Sequence, residues 1–240
     1  MAERAAIVTG GSSGIGLAIA RMLGQEGYGI TLAARRPDKL EAAAEVLRGE
    51  GFDVLSVAGD LGDEDVVKRV VAEHEERFGR LDVLVNNAGV GIGANVADIS
   101  TKHLDLQLAT NLRSPILFYR ECVALLRVAG AEHRKAIVIN TASIAGRTGE
   151  AWLSVYGATK AALISFTIGM NKELAKEGIK STALCPAFVD TPMTDFVKGQ
   201  IPADDMIRDT DIAIAVKAVI DMSPACIVPE IPFVRPDEGL

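Results

Sequence analysis

The sequence predicts an α/β fold of the Rossmann type: a doubly wound parallel sheet of about seven strands with helices on both faces. Three observations predict it. Short apolar runs rich in Val, Ile and Leu alternate with longer segments of helical period, the rhythm of βαβ units. The runs lack polar alternation, as strands covered on both faces do. A glycine-rich turn joins the first run to the first helix.

The strands are expected at AAIVTG (5–10), GITLAA (29–34), DVLSVAG (53–59), LDVLVNN (81–87), KAIVINTA (135–142) and IKSTALCP (179–186). A seventh run, CIVPEIPFV (226–234), carries Pro229 and Pro232. Proline has no N–H for a ladder, so this strand belongs at an edge. Helices are expected near 14–26, 38–50, 63–78, 101–128, 155–177 and 209–222. No linker, repeat or low-complexity tract interrupts the series, so residues 1–240 read as one domain, with 187–210 as a lid over the substrate within it.

Composition removes several function classes. A net charge of −7 leaves no basic footprint for nucleic acid. The three cysteines, Cys122, Cys185 and Cys226, are odd in number and far apart, which fits neither a disulfide framework nor a metal knuckle. His74, His103 and His133 stand among charged or polar neighbours and read as surface residues, so no metal site is expected. The run EDVVKRVVAEHEERFGR reads as a solvated amphipathic helix. Neither a signal peptide nor a membrane span is apparent, and a cytoplasmic location is expected.

The first strand ends in Thr9-Gly10-Gly11-Ser12-Ser13-Gly14-Ile15-Gly16. Glycines at a strand-to-helix junction permit a tight turn, and the helix N-terminus favours a pyrophosphate there. Gly10, Ser12, Ser13, Gly14, Ile15 and Gly16 therefore form a candidate dinucleotide cradle. The second strand ends in Ala33-Ala34-Arg35-Arg36, without the acid that would hold an adenosine ribose. Arg35, or secondly Arg36, can pair with a 2′-phosphate, so NADP(H) is expected over NAD(H). Asp60 and Leu61 follow the third strand where an adenine would lie; Asp60 is equally readable as a loop cap.

A phenol with a pKa of about 10 is a poor base at neutral pH. In VYGATK, Lys160 follows Tyr156 by one helical turn, and its ammonium would favour the phenolate. Ser143 follows the fifth strand, where ligands of open α/β sheets collect. Tyr156 begins the next helix and can return to the same cleft.

In this order the motifs resemble the short-chain dehydrogenase/reductase family over nearly the whole chain. Thr9 to Gly16 is similar to its TGxxxGIG turn, Asn86-Asn87-Ala88-Gly89 to its NNAG segment, and Tyr156 to Lys160 to its YxxxK. Asn111 and Ser143 match its helix asparagine and its serine, the latter thirteen residues before Tyr156. The resemblance implies that Tyr156 exchanges a proton with the substrate oxygen and that Ser143 hydrogen-bonds that oxygen. It further implies that Lys160 binds the nicotinamide ribose and lowers the tyrosine pKa, and that Asn111 holds a water. Asn87, Ala88 and Gly89 would leave room for the cofactor, with Asn86 pairing to nearby backbone. Pro186, Val189 and Thr191 resemble a PGxxxT segment beside the nicotinamide. Ala187 stands where that segment has glycine, and its methyl is expected to restrict the backbone or narrow the pocket. PEIPFVRPDEGL replaces the family's glycine-rich C-terminal segment.

The expected activity is NADP(H)-dependent hydride transfer at a carbonyl or secondary alcohol. Phe188, Met193, Phe196 and Val197 from the lid, with Glu150 and Trp152 opposite, would enclose a mainly apolar substrate pocket. Apolar residues on several faces of helices 101–128 and 155–177, among them Leu117, Phe118, Leu125, Leu163, Phe166 and Met170, suggest a homodimer or homotetramer. Two other readings stand beside this one. A non-catalytic NADP(H)-sensing protein would have no need of the proton device, and the epimerase-type relatives that share YxxxK resemble TGxxGxxG at the turn instead.

Overall fold

A computed structural model describes residues 3–236. Seven strands form one sheet in the order β3-β2-β1-β4-β5-β6-β7, parallel throughout. They are β1 (Arg4–Thr9), β2 (Tyr28–Ala34), β3 (Val54–Ala58), β4 (Val83–Asn86), β5 (Ala136–Thr141), β6 (Ile179–Pro186) and β7 (Glu230–Phe233). The chain winds outward from β1 to β3, returns to lay β4 on the other side of β1, and so opens a crevice at their carboxyl ends.

The side-chain period of two sends alternate residues of each strand to opposite layers. Ala6 and Val8 of β1 join a core with α1 (Gly14–Gln25), α2 (Pro37–Gly49) and α8 (Asp209–Asp221). Ile7 joins the other core, with α3 (Glu64–Phe78), α5 (Ser114–His133) and α7 (Ser154–Leu174). Both layers are apolar, which is why the strands show no polar alternation.

β7 lies at the edge, as its prolines require, but it is short: Cys226 to Val228 run outside the ladder. The segment expected as one helix over 101–128 is three pieces: α4 (Thr101–Leu108), a π turn (Ala109–Arg113) and α5. Pro115 explains the break, because it has no N–H to give the Asn111 carbonyl four residues back, and the helix widens there. A short α6 (Ala145–Thr148) follows Ser143, and the 187–210 segment contains two 3₁₀ turns, Pro192–Val197 and Ala203–Asp205.

His74 corrects the sequence reading, for it is fully buried. It shares the inner stripe of α3 with Val67, Val70, Val71 and Phe78, at helical spacing. Its Nε2 donates to the Arg80 carbonyl at 2.9 Å, so Nδ1 must be the acceptor for the Thr31 hydroxyl at 2.7 Å. Leu117, Phe118, Leu125 and Leu163 are likewise core residues. The large apolar side chains left exposed along these helices are Leu108, Ile116, Val128 and Ile168.

Candidate active site

The glycine turn is shaped by two positive dihedrals, φ 66° at Gly10 and 51° at Gly14, which favour glycine. Gly16 is required by packing, since a Cβ there would fall 2.4 Å from the Gly10 carbonyl oxygen. Asn87 and Ala88 pin the turn to β4: their N–H groups donate to Thr9 Oγ1 at 2.9 and 3.0 Å. Ser13, which precedes α1, makes no side-chain cap hydrogen bond, and the first turn carries no acid. The opening N–H groups of α1 therefore face outward without helical acceptors.

A cleft of about 550 Å³ runs along the carboxyl ends of the strands. Gly10, Ser12, Ser13, Gly14, Ile15, Arg35, Arg36, Asn87, Ala88, Gly89, Tyr156, Lys160, Pro186, Val189 and Thr191 all line it. Three of the residues expected to bind the cofactor stand outside this lining. Gly16 packs α1 against the turn, Leu61 is buried in the core with α3 and α5, and Asp60 accepts from Gly62 N at 3.0 Å as a loop cap. Arg35 and Arg36 are exposed at the end of β2.

Glycines also set the approach of Tyr156 to Ser143. A Cβ on Gly157 would lie 2.7 Å from the Ala145 carbonyl, and one on Gly146 would lie 2.7 Å from Ala161 N. Without side chains at both places, α7 seats directly on the α6 backbone that follows Ser143. Ser143 is buried; its Oγ accepts from Ala145 N at 3.3 Å and donates to the Pro186 carbonyl at 3.4 Å. Tyr156 is partly buried. Burial raises its pKa above the usual phenol value, opposed by its side-chain hydrogen bond with Ser143. Lys160 is not among the groups that shift the phenol. Lys160 is 3% exposed as a residue, its ammonium donates to the Thr141 carbonyl at 2.7 Å, and desolvation brings its pKa down to about 8.

Asn111 is fully buried and spent on structure. Its Nδ2 donates to the Val90 carbonyl at 2.9 Å and to Thr159 Oγ1 at 3.1 Å, while its Oδ1 accepts from Val90 N at 2.8 Å. Asn86 pairs with the Asn140 side chain at 2.9 Å rather than with backbone. Sequence reasoning missed Thr141, Thr159 and Val90. Their roles lie in hydrogen bonds between elements distant in sequence, which no local motif announces.

A second cavity of about 770 Å³ opens beside Ser143 and Tyr156. Glu150, Trp152, Phe188, Met193 and Phe196 line it, whereas Val197 is buried away from it. Met193 and Thr194 line both spaces, so the two meet beneath the 3₁₀ turn. Ala187 also lines the cavity and keeps an ordinary negative φ, its N–H bound to the Phe233 carbonyl at 2.9 Å. Its methyl is thus accommodated without backbone strain. Among the described residues no group of three or more His, Cys, Asp or Glu could hold a metal ion, and no helix is long and apolar enough to cross a membrane.

This fold, with a dinucleotide-type cleft meeting a serine and a tyrosine, defines a nicotinamide-dependent oxidoreductase class. The short chain dehydrogenase family model matches residues 4–201, and the chain belongs to that family. It is 40% identical over 199 residues to a protein named as a ketoacyl reductase of the granaticin polyketide synthase of Streptomyces violaceoruber, covering 82% of this chain and 72% of that protein. It is 34% identical over 219 residues to the 3-oxoacyl-(acyl-carrier-protein) reductase FabG of Staphylococcus aureus, covering 88% and 87%. A tryptophan variant of actinorhodin polyketide ketoreductase, crystallised with NADPH, superimposes with a TM-score of 0.87 at 29% identity over 97% of each chain.

Proposed function

We propose that the protein is an NADPH-dependent carbonyl reductase acting on a small or medium, largely apolar ketone or aldehyde. One observation carries the reading: Ser143 and Tyr156 both line the apolar cavity, Tyr156 also lines the nucleotide cleft, and Lys160 lines that cleft with its Nζ 5.7 Å from the centre of the tyrosine ring. The cleft suits NADP(H) chemically. It offers the free N–H groups at the start of α1 to a pyrophosphate, and Arg35 and Arg36 to a 2′-phosphate, with no carboxylate at the end of β2 to repel it. NAD(H) is the second choice.

A nicotinamide bound there would supply the hydride. Tyr156 gives its phenolic proton to the carbonyl oxygen, and Ser143 donates a hydrogen bond to the same atom, so negative charge never accumulates on it. Burial suits this role, because a phenol whose pKa is raised is fully protonated at neutral pH. Lys160, whose ammonium donates to the Thr141 carbonyl, would hold the nicotinamide ribose. With the Asn111 side chain already engaged, a water leading to solvent would be held by its backbone carbonyl, which Pro115 cannot reach. On a secondary alcohol the same groups run the reverse reaction.

Residues 187–210 act as the lid, and the exposed Leu108, Ile116 and Ile168 fit burial in a homodimer or homotetramer. A cytoplasmic location suits the reduced thiols. The rival, a non-catalytic NADP(H) sensor, differs in one observable. A panel of ketones, aldehydes and alcohols, followed by nicotinamide absorbance with each cofactor, should give carbonyl-dependent consumption of NADPH above that of NADH. Tight NADPH binding without turnover on any of them would favour the sensor.

A further inference from the structure

Trp152 is the chain's single tryptophan, and it stands at φ 66°. A bulky side chain adopts this left-handed conformation only where its surroundings impose it. Two contacts from the loop after β4 do so. The Trp152 carbonyl accepts from Ala94 N at 2.8 Å, and the indole lies so close over Gly93 that a Cβ there would fall 2.4 Å from three of its ring atoms. Even so, the side chain is 49% exposed and lines the cavity that holds Ser143 and Tyr156. From the lid, Phe196 meets it with ring centroids 6.2 Å apart and planes tilted 56°, itself 59% exposed. The cavity thus has an open corner of two large rings. One of them is held in a strained backbone that gains little burial in return.

We infer that Trp152, with Phe196 beside it, is the specificity-determining wall for an aryl or extended conjugated group on the carbonyl substrate. The inference rests on the reductase reading and names the substrate class of that site. A planar group laid against the indole finds the offset or tilted geometry that aromatic pairs prefer, and it covers the apolar surface left exposed. Glu150, the one carboxylate lining the cavity, restricts that group to a neutral or cationic one. Gly93 belongs to the device, since any side chain there displaces the indole. An alkyl chain of equal size fits the same volume without the ring complementarity.

Because the chain holds one tryptophan, its emission reports Trp152 alone. The protein, saturated with NADP⁺, is titrated with 4-phenylbutan-2-one and with decan-2-one, and both ketones are assayed for reduction by NADPH. The aryl ketone should shift the emission saturably, and its kcat/KM should exceed that of the alkyl ketone by about tenfold. Trp152→Leu and Gly93→Ala should each bring that ratio near unity, mainly through KM, while Trp152→Phe keeps most of it. An emission unmoved by saturating aryl ketone, or an unchanged ratio in Trp152→Leu, would overturn the inference while leaving carbonyl reduction intact. Absence of turnover on every carbonyl would instead overturn the reductase reading, and the emission titration on wild-type protein would still decide whether an aryl group seats on Trp152.

Discussion

Lys160 Nζ lies 5.7 Å from the centre of the Tyr156 ring and gives its short hydrogen bond, 2.7 Å, to the Thr141 carbonyl. The two residues share one face of α7, as their spacing demands, yet the lysine is tethered to the end of β5. The phenol consequently feels its burial more than the neighbouring charge, and it stays protonated. That is the state a proton donor to a carbonyl needs, and it makes the lysine's own titration visible in the pH dependence.

With its pKa lowered to about 8, Lys160 loses its charge as the pH rises through that value. Reductive kcat/KM should be level near neutrality and fall above about pH 8. A pH–rate profile checks this, and Lys160→Met should show a low, flat profile over the same range.

Arg35→Ala should raise KM for NADPH by about 10- to 100-fold, the loss expected for a charge-assisted pair with a phosphate. KM for NADH should change by less than about threefold, because the 2′-hydroxyl has no use for the guanidinium. Steady-state kinetics with both cofactors measures the difference. Equal losses would remove the arginine from 2′-phosphate recognition.

Gly16→Ala sets a methyl 2.4 Å from the Gly10 carbonyl oxygen and 2.6 Å from Asn87 Nδ2, both held by the turn. Destabilisation of about 1–3 kcal/mol is expected in urea unfolding, the range for an overfilled site. NADPH affinity should weaken with it, because the displaced atoms belong to the cradle.

His74 is buried neutral, its pKa pushed down to about 4. Unfolded, it would titrate near its ordinary value of about 6.5. Between these values the unfolded chain binds the extra proton, so stability should fall as the pH drops from about 6.5 to 4, by on the order of 3 kcal/mol. His74→Gln should be less stable at pH 7 but lose less over that interval. Thermal melts at several pH values test it.

Much of this molecule was legible in its sequence. Strands covered on both faces announce themselves as apolar runs, and six of the seven lay within two residues of their predicted ends, β7 being the shortened exception. The glycine turn and the juxtaposition of Tyr156 with Lys160 were legible because each depends on spacing along one strand end or one helix turn. What escaped depends on three-dimensional competition. Pro115 signalled a break that the apolar period concealed. His74 was judged by its sequence neighbours, although residues three and four away were the relevant ones. Lys160 was assigned to Tyr156 by helical spacing, but Thr141, nineteen residues earlier, claimed its hydrogen bond. Trp152 gave no local sign that Gly93, on another loop, lay beneath it.

The proposed proton transfer turns on the Tyr156 hydroxyl, and Tyr156→Phe removes that atom and little else. NADPH affinity, read by fluorescence titration, and carbonyl-dependent NADPH consumption should be measured on the same samples of wild type and variant. The expected result is binding within about twofold of wild type, with kcat lower by about 10²- to 10⁴-fold. A variant that binds NADPH and still reduces the carbonyl at the wild-type rate would contradict it.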